Sequence, residues 1–340
     1  MKTTSRTLLL GLMTLAVGSA WAFDPIPKES GFSGRVILGG GYVVGENNLV
    51  KGNALVQIGV DRVDNLTDSP DDESNPMPVV SGQLQYTFAS TKTQLFFGQD
   101  IEDLVRFDFA TAFGVRQGTE RLGRFSLALL TSGIVTEVWE DPYVAGVDRD
   151  STDRDVTGFR AEWYSIFNSN FFAQISAREI DIDKERSGQL GGLDLTPEEI
   201  DLLRRDGDST NFRLGYVWKF TDKRFLVPEF SYTDDDRDGG AVKNERYSGQ
   251  VSYTSLGPTW SYVVSGGYIS SEYDQDNPIY DKASDSDTWF GGLSVFYKLN
   301  TQSKRWSLVG QLSYGEEDSD IDFHDSSLFI GSIGAMYVFD

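Results

Sequence analysis

The chain has 340 residues and a formal net charge of −22 at pH 7, from 52 acidic and 30 basic side chains. Such a negative charge disfavours nucleic acid as a partner and is typical either of cation binding or of solvated acidic loops. The sequence contains no cysteine, which excludes a disulfide framework and a lipid-anchored lipoprotein.

The N-terminal segment has the pattern of a secretory signal peptide. Lys2 and Arg6 precede an apolar run over residues 8–17, and small residues surround a cleavage position after Ala22. We therefore predict that residues 1–22 are removed on export. The remainder has no apolar segment near the roughly 18 residues that a helical membrane span needs. An exported chain of this kind is secreted, periplasmic or an outer-membrane β-barrel.

Residues 23–32 are predicted to be an extended periplasmic lead-in, and residues 33–340 are predicted to form the barrel. In the first strand candidate, Val36 and Leu38 alternate with Arg35, as expected for a strand with two unlike faces. Similar alternation recurs over residues 80–88, 107–115, 212–220, 260–268 and 306–314. Alternation alone does not distinguish a membrane barrel from a soluble barrel with its apolar face inside.

The connections between these segments fall into two classes that alternate along the chain. The short connections are residues 89–92, 117–123, 168–170, 221–224, 257–258 and 300–305. The longer, acidic connections are residues 45–78, 141–155, 184–208, 234–244, 274–287 and 316–325. Short periplasmic turns opposite long extracellular loops are the asymmetry of outer-membrane barrels.

About 15 alternating segments can be marked, whereas a bacterial single-chain barrel has an even number of strands. The weakest segment is residues 51–61, and assigning it to a long first extracellular loop leaves about 14 strands. The only short extracellular connection is then residues 99–103. Within one long loop, Thr196 followed by Pro197 and Glu199 predicts a short helix over residues 196–205.

The last segment has the pattern of a closing barrel strand. One face carries Phe329, Ile333, Tyr337 and Phe339, while the other is mixed and carries Leu328, Ile330, Met336 and Val338. An aromatic-rich final strand is expected to contact outer-membrane lipid and lipopolysaccharide and to be recognised by the barrel-assembly machinery. The usual assembly signal ends on the aromatic residue itself, whereas here Asp340 follows Phe339.

Several sequence blocks carry a family resemblance. They are residues 136–143 (TEVWEDPY), 178–188 (REIDIDKERSG), 235–239 (DDRDG), 277–280 (NPIY), 304–308 (KRWSL) and 321–323 (IDF). With them, the chain resembles the proteobacterial family known as domain of unknown function 2860, from residue 25 to the C-terminus. The resemblance implies an outer-membrane protein without an assigned activity, so it transfers no catalytic residue.

One acidic turn matches the spacing of a calcium loop. Asp234, Asp236 and Asp238 would supply oxygen ligands, Gly239 the sharp turn and Glu245 a bidentate carboxylate. The flanking segments are strands rather than the two helices of an EF-hand. Calcium binding and a solvated turn therefore both remain open, and no other cofactor is expected.

His324 is the only histidine in the sequence. A hydrolase barrel would need a nucleophile motif or paired carboxylates beside it, and the neighbouring sequence supplies neither. We therefore expect that the protein is not an enzyme.

The predicted inward faces suggest a channel. The predicted pore-lining residues are Arg35, Arg106, Asp108, Arg116, Arg160, Glu162, Arg178, Arg213, Lys219, Glu229 and Lys298. Such a basic ladder predicts a passive outer-membrane channel for small polar or anionic solutes, unless the charges pair and close a narrow lumen. The alternative is a non-conducting surface protein whose acidic loops bind divalent cations or an external partner.

Overall fold

A computed structural model of the chain describes residues 26–99, 110–299 and 305–339. The predicted signal peptide, Asp340 and two of the predicted pore-lining residues, Arg106 and Asp108, lie outside these described residues.

The described residues form one sheet in which neighbouring strands run antiparallel. Its strands are β1 (Gly31–Glu46), β2 (Val50–Asn53), β3 (Val56–Gln57), β4 (Asp72–Phe88), β5 (Thr93–Gly98), β6 (Ala110–Gly118), β7 (Arg124–Ser132), β8 (Thr136–Trp139), β9 (Ser151–Tyr164), β10 (Phe171–Ile182), β11 (Gly207–Tyr216), β12 (Trp218–Thr221), β13 (Arg224–Arg237), β14 (Asn244–Leu256), β15 (Trp260–Tyr273), β16 (Ser286–Lys298), β17 (Trp306–Ser319) and β18 (Ser326–Phe339).

The sheet closes on itself as a barrel of 14 strands, as predicted. The strand β1 pairs with β4 on one side and with β18 on the other, and this second pairing closes the barrel. At the closure, a Cβ atom on Gly39 would lie 2.3 Å from the carbonyl oxygen of Ile333 and 2.5 Å from the Cα atom of Gly334. Glycine at this position therefore allows the first and last strands to approach closely.

The short strands β2 and β3 lie outside the barrel wall, in the first connection at the extracellular end. The strand β8 continues β7 along β9 and also pairs with β2. Assigning residues 51–61 to a loop is thus confirmed. Barrel strands extend further than predicted, because β4 already begins at Asp72 and β13 continues to Arg237. The extracellular loops are correspondingly shorter than the sequence suggested.

The predicted loop helix is confirmed as α1 (Pro197–Asp201), with a capping box between Thr196 and Glu199. It is shorter than predicted, because the backbone carbonyls of Leu202 and Arg204 accept hydrogen bonds from the 237–244 turn instead of continuing the helix. Among the described residues, no helix is long and apolar enough to cross a membrane.

Apolar side chains cover the outside of the barrel. Ile333 and Leu129 are each 65% exposed and Trp289 is 66% exposed, whereas the inward Arg160 and Arg213 are only 5% and 6% exposed. Aromatic pairs such as Trp260 with Tyr297, and Tyr268 with Trp289, lie towards the two ends of the strands. A membrane-spanning barrel has this arrangement, and a soluble barrel would have the opposite one.

We predict that Ile333→Arg, in the middle of β18, lowers the free energy of unfolding in lipid vesicles by about 2–4 kcal/mol. A guanidinium group on this face would have to enter the hydrocarbon of the bilayer. The matched control is Val147→Arg, which changes an exposed loop residue and should stay within about 0.5 kcal/mol of the wild type. Equal stability of the two variants in urea titrations would contradict a lipid-facing exterior.

Candidate functional site

The barrel interior carries charged residues on a group of neighbouring strands. Arg160 and Glu162 lie on β9, Arg178 on β10, Arg213 on β11 and Glu229 on β13. The strand register places Gln174 of β10 opposite both Glu162 and Arg213. Arg213 Nη1 lies 3.8 Å from Glu229 Oε2, and both side chains are more than nine-tenths buried. These residues form a continuous polar surface on the inside of the barrel, here called the polar wall.

The other predicted pore-lining residues are more scattered. Arg35 is buried on β1, and Arg116 lies 3.9 Å above the ring of Phe96. Lys298 donates a hydrogen bond to the Gly257 carbonyl in a periplasmic turn. Lys219 is exposed on β12 at the periplasmic edge.

Much of the interior excludes solvent. The inward side chains of Gln83, Gln174 and Gln250 are 6–7% exposed, and Ser252 and Thr254 are fully buried. In this conformation the interior is filled by side chains and is not a wide aqueous pore. The sequence left this point open.

The extracellular end is covered by a structure that the sequence analysis did not predict, here called the cap. The cap consists of residues 47–71, 133–150, 183–206, 238–243, 274–285 and 320–325. It has its own apolar core, in which the largest buried side chains are Tyr143, Leu203, Ile321 and Phe323. The isolated apolar residues within the acidic loops were the only sequence signal for this core.

Arg149 joins separate segments of the cap through backbone carbonyls. Its guanidinium donates to Asn48 and Val60 at 2.7 and 2.6 Å, and to Pro142 at 3.1 Å. The group also lies 4.4 Å from the ring centre of Trp139. Burial lowers the pKa of Arg149 to about 10, so the side chain stays charged at neutral pH.

Asp141 connects two further cap segments. Its Oδ1 atom accepts hydrogen bonds from the backbone amides of Tyr143 and Gly188, both at 2.9 Å, and its Oδ2 atom accepts one from Leu190 at 2.7 Å. Three charge-assisted hydrogen bonds from backbone amides hold this carboxylate in place. The cap is therefore fixed by directed hydrogen bonds as well as by its apolar core.

His324 lies inside the cap. Its Nε2 atom is 3.2 Å from the Tyr143 hydroxyl, which also accepts a hydrogen bond from Asn277, and its Nδ1 atom is 2.9 Å from Ser284 Oγ. Burial lowers the pKa of His324 to about 4, so the imidazole is neutral at pH 7. The same burial raises the pKa of Tyr143 to about 12. Ser284 is 3% exposed, which makes this serine and histidine pair a buried packing contact.

We predict that acid loosens the cap through His324. Its pKa is lower in the folded cap than the unfolded value of about 6.5, so its stabilising effect is complete above pH 6.5 and is lost as the pH falls towards 4. Over this interval the loss is on the order of 3 kcal/mol. Limited proteolysis of the loops should therefore accelerate between pH 6.5 and 4.

The control for this prediction is His324→Gln, which keeps hydrogen-bonding groups but cannot become charged in this range. Other groups also take up protons at acid pH, so the measured quantity is the difference between the two proteins. Identical pH profiles for wild type and variant would contradict the prediction.

Acidic side chains surround the outside of the barrel at its extracellular end. We call this set the acidic belt. The strand register places like charges directly opposite each other in the pairs Asp155 and Asp181, Glu179 and Asp208, Asp208 and Asp236, Asp234 and Glu245, Glu245 and Glu272, and Asp287 and Asp318. Opposed like charges destabilise a sheet unless counterions compensate them.

Of the predicted calcium ligands, Asp234, Asp236 and Glu245 belong to this belt, whereas Asp238 lies in the cap. Asp234 and Asp236 lie in β13, where Asp236 forms an ion pair of 2.7 Å with Lys243. Asp238 lies 3.1 Å from Arg204 instead. In the parts of the chain that the structure describes, no three acidic or histidine side chains converge on a metal position. Calcium binding by the predicted residues stays a prediction.

Gly239 lies in the 237–244 turn, close to the end of α1. A Cβ atom there would lie 2.4 Å from the Leu202 carbonyl oxygen and 2.5 Å from the Arg204 amide nitrogen. Its role is to let the 237–244 turn approach the end of α1.

Comparison with known proteins gives one family. The family described as "Protein of unknown function (DUF2860)" matches residues 31–338. No curated protein sequence matches the chain.

Several solved structures are similar in overall shape. A Pseudomonas aeruginosa FadL homologue is 11% identical with a TM-score of 0.47, covering 98% of this chain and 99% of its own. The CymD monoaromatic hydrocarbon channel is 11% identical with a TM-score of 0.45 and the same coverage. The outer membrane channel DcaP of Acinetobacter baumannii is 11% identical with a TM-score of 0.43, covering 92% and 97%.

Proposed function

The chain belongs to the family of proteins of unknown function DUF2860, and we propose that its barrel is a channel of a Gram-negative outer membrane. The channel admits small polar or anionic solutes, and the cap closes it in the conformation described above. We further propose that the protein has no enzymatic activity and needs no cofactor.

The observation that carries this proposal is the polar wall. Charged groups inside a protein are costly unless they are paired or have a use, and a barrel that served only as a scaffold could fill its interior with small neutral residues. Here Arg160, Arg178 and Arg213 lie on three successive strands of the wall. A row of guanidinium groups favours anions over cations along the path that they line.

The way in which the cap is held in place supports the proposal that the channel can open. It is attached to the barrel through several separate loops, and Arg149 holds two carbonyls of the segment 47–71 and one of its own segment, 133–150. Loss of such a buried donor leaves acceptors without partners, which costs about 1–3 kcal/mol each. The closed state can therefore be weakened by one substitution without touching the barrel wall.

We predict that planar bilayers containing the folded protein show ion conductance, and that Arg149→Gln increases the fraction of time spent open. The increase should be at least about fivefold, because the variant loses hydrogen bonds that exist only in the closed cap. Arg62→Gln, which removes a charge from an exposed part of the cap, is the matched control. Absence of conductance from both the wild type and Arg149→Gln would exclude the channel function.

In the same recordings, Arg178→Gln should shift the reversal potential in a salt gradient towards lower anion preference. Arg62→Gln should not shift it, since that side chain is outside the lumen. An unchanged reversal potential in the lumen variant would show that the polar wall does not control the passage of ions.

A second candidate function is supported by the acidic belt. It is a non-conducting surface protein that binds divalent cations together with the phosphate groups of lipopolysaccharide. Opposed carboxylates such as Asp234 and Glu245 offer two ligands from the protein, and calcium needs six to eight oxygens, so the remaining ligands would come from the lipid. Because the belt faces outward above the apolar surface, it lies where those phosphates are found.

We predict that calcium in the millimolar range raises the melting temperature in lipopolysaccharide-containing vesicles, and that Asp208→Asn reverses part of this effect. Without divalent cations, Asp208→Asn should be slightly more stable than the wild type, because Asp208 opposes both Glu179 and Asp236. With calcium, the order should invert. Asp194→Asn, in an exposed loop, serves as the control. If the melting temperature is the same with and without calcium, cation binding by the belt is contradicted.

A further inference from the structure

The interior of the barrel has an apolar wall as well as the polar wall. Inward side chains of β15, β17 and β18 include Val263, Val309 and Met336, which are 3%, 8% and 5% exposed. In a barrel of 14 strands, β18 and β10 are seven strands apart in either direction. The strands β17 and β18 therefore lie across the lumen from β9 and β10, and β15 lies between these two sides, separated from β13 by β14.

The two walls meet at the same depth near the periplasmic end. The inward residues that lie three or four positions from the periplasmic end of their strands are Arg160 and Gln174 on one side, and Val263, Val309 and Met336 on the other. Arg213 lies directly opposite Gln174 in the strand register. With a rise of about 3.3 Å per residue, Arg160, Gln174 and the three apolar residues lie about 10 Å from that end along their strands. They form a ring with one polar arc and one apolar arc.

The cap does not account for the apolar arc. Cap residues pack against the upper part of the same apolar cluster, where Ile58 lies beside Gly45 at the extracellular end of β1. Met336 lies at the opposite end of its strand, three residues from Phe339. An aqueous barrel interior is normally polar all round, so an apolar arc at this depth calls for another explanation.

The charges of the polar arc favour a ligand with one negative charge. Arg160 and Arg213 are accompanied by Glu162 and Glu229, and the Arg213 guanidinium is within 3.8 Å of the Glu229 carboxylate. These acids oppose anions with several charges. A single carboxylate fits a guanidinium through two parallel hydrogen bonds, and this interaction strengthens where water is excluded.

We propose that the ring binds a small amphipathic monocarboxylate, with its carboxylate at Arg160 and Arg213 and its hydrocarbon part against Val263, Val309 and Met336. In the closed conformation these side chains fill the ring themselves. Arginine and methionine have long flexible side chains, so they can rotate to admit such a ligand. The inference rests on the proposed channel function, because it names the class of solute that the channel would select.

The test uses the full protein in lipid nanodiscs and four probes: hexanoate, acetate, 1-hexanol and hexylammonium. Titration calorimetry, corrected with empty nanodiscs, should show hexanoate binding at least about tenfold more tightly than acetate, since several methylene groups are buried. The uncharged alcohol and the cation should give no signal above empty nanodiscs. Equal affinity for hexanoate and acetate, or binding of 1-hexanol as strong as that of hexanoate, would overturn the proposal.

Substitutions in the two arcs test separately whether each arc contributes to binding. Met336→Gln and Val263→Thr should each reduce the preference for hexanoate over acetate, and Arg213→Gln should weaken the binding of both anions. Asp194→Asn in the cap should leave all affinities unchanged. Two substitutions in the apolar arc keep the test valid if one of them prevents folding, which heat-dependent gel migration would reveal. Retained hexanoate preference in a folded apolar-arc variant would overturn the assignment.

The outcome is separable from that of the proposed function. If the protein conducts ions but shows no preference for hexanoate, the proposed channel function stands and this inference is wrong. Binding of hexanoate by a protein that conducts no ions, even as Arg149→Gln, would instead remove the channel and leave the ring as a binding site.

Discussion

The structure depends on one constraint, which is that a chain within lipid must satisfy every backbone hydrogen bond internally. A closed antiparallel sheet does so only if its first and last strands pair, and the glycines at the β1 and β18 junction allow this close approach. Closure also fixes the direction of the side chains. Apolar groups such as Ile333 turn outward to lipid, and polar groups such as Arg213 turn inward.

Closure of the sheet leaves two open ends, and the chain treats them differently. At the periplasmic end the described strands are joined by short turns, while the extracellular end carries the cap with its own apolar core. The cap forms although the loops are strongly acidic, because buried side chains bind backbone groups directly. Arg149 and Asp141 each hold three such groups, so charge and packing cooperate where composition alone suggests a solvated surface.

The features that depend on local periodicity and connection length could be predicted from the sequence. These are the strand number, the outward face of each strand and the capping box at Thr196. The extent of β13 could not, because a run of aspartates such as Asp234 to Asp236 normally indicates a turn, whereas pairing with β11 continues the strand. The cap was missed because it depends on contacts between distant residues, such as Asn48 and Phe323. The sequence showed that the inward face of the last strand mixes polar and apolar residues. Which residues face it across the lumen could be known only from the closed barrel.

The distribution of charge supports the proposed preference for a singly charged anion. The acidic belt and the acidic loops give the extracellular end a negative field, which repels anions in proportion to their charge but is screened over about 8 Å at physiological ionic strength. The polar wall lies deeper, beyond the reach of most of that field, where Arg160 and Arg213 are buried. A cation is attracted to the entrance but meets guanidinium groups inside. A multivalent anion is repelled most strongly outside and then meets Glu162 and Glu229. A monovalent anion is repelled least among anions. If the anion also has a hydrocarbon part, that part is attracted to the apolar wall that carries Met336, and it adds no charge.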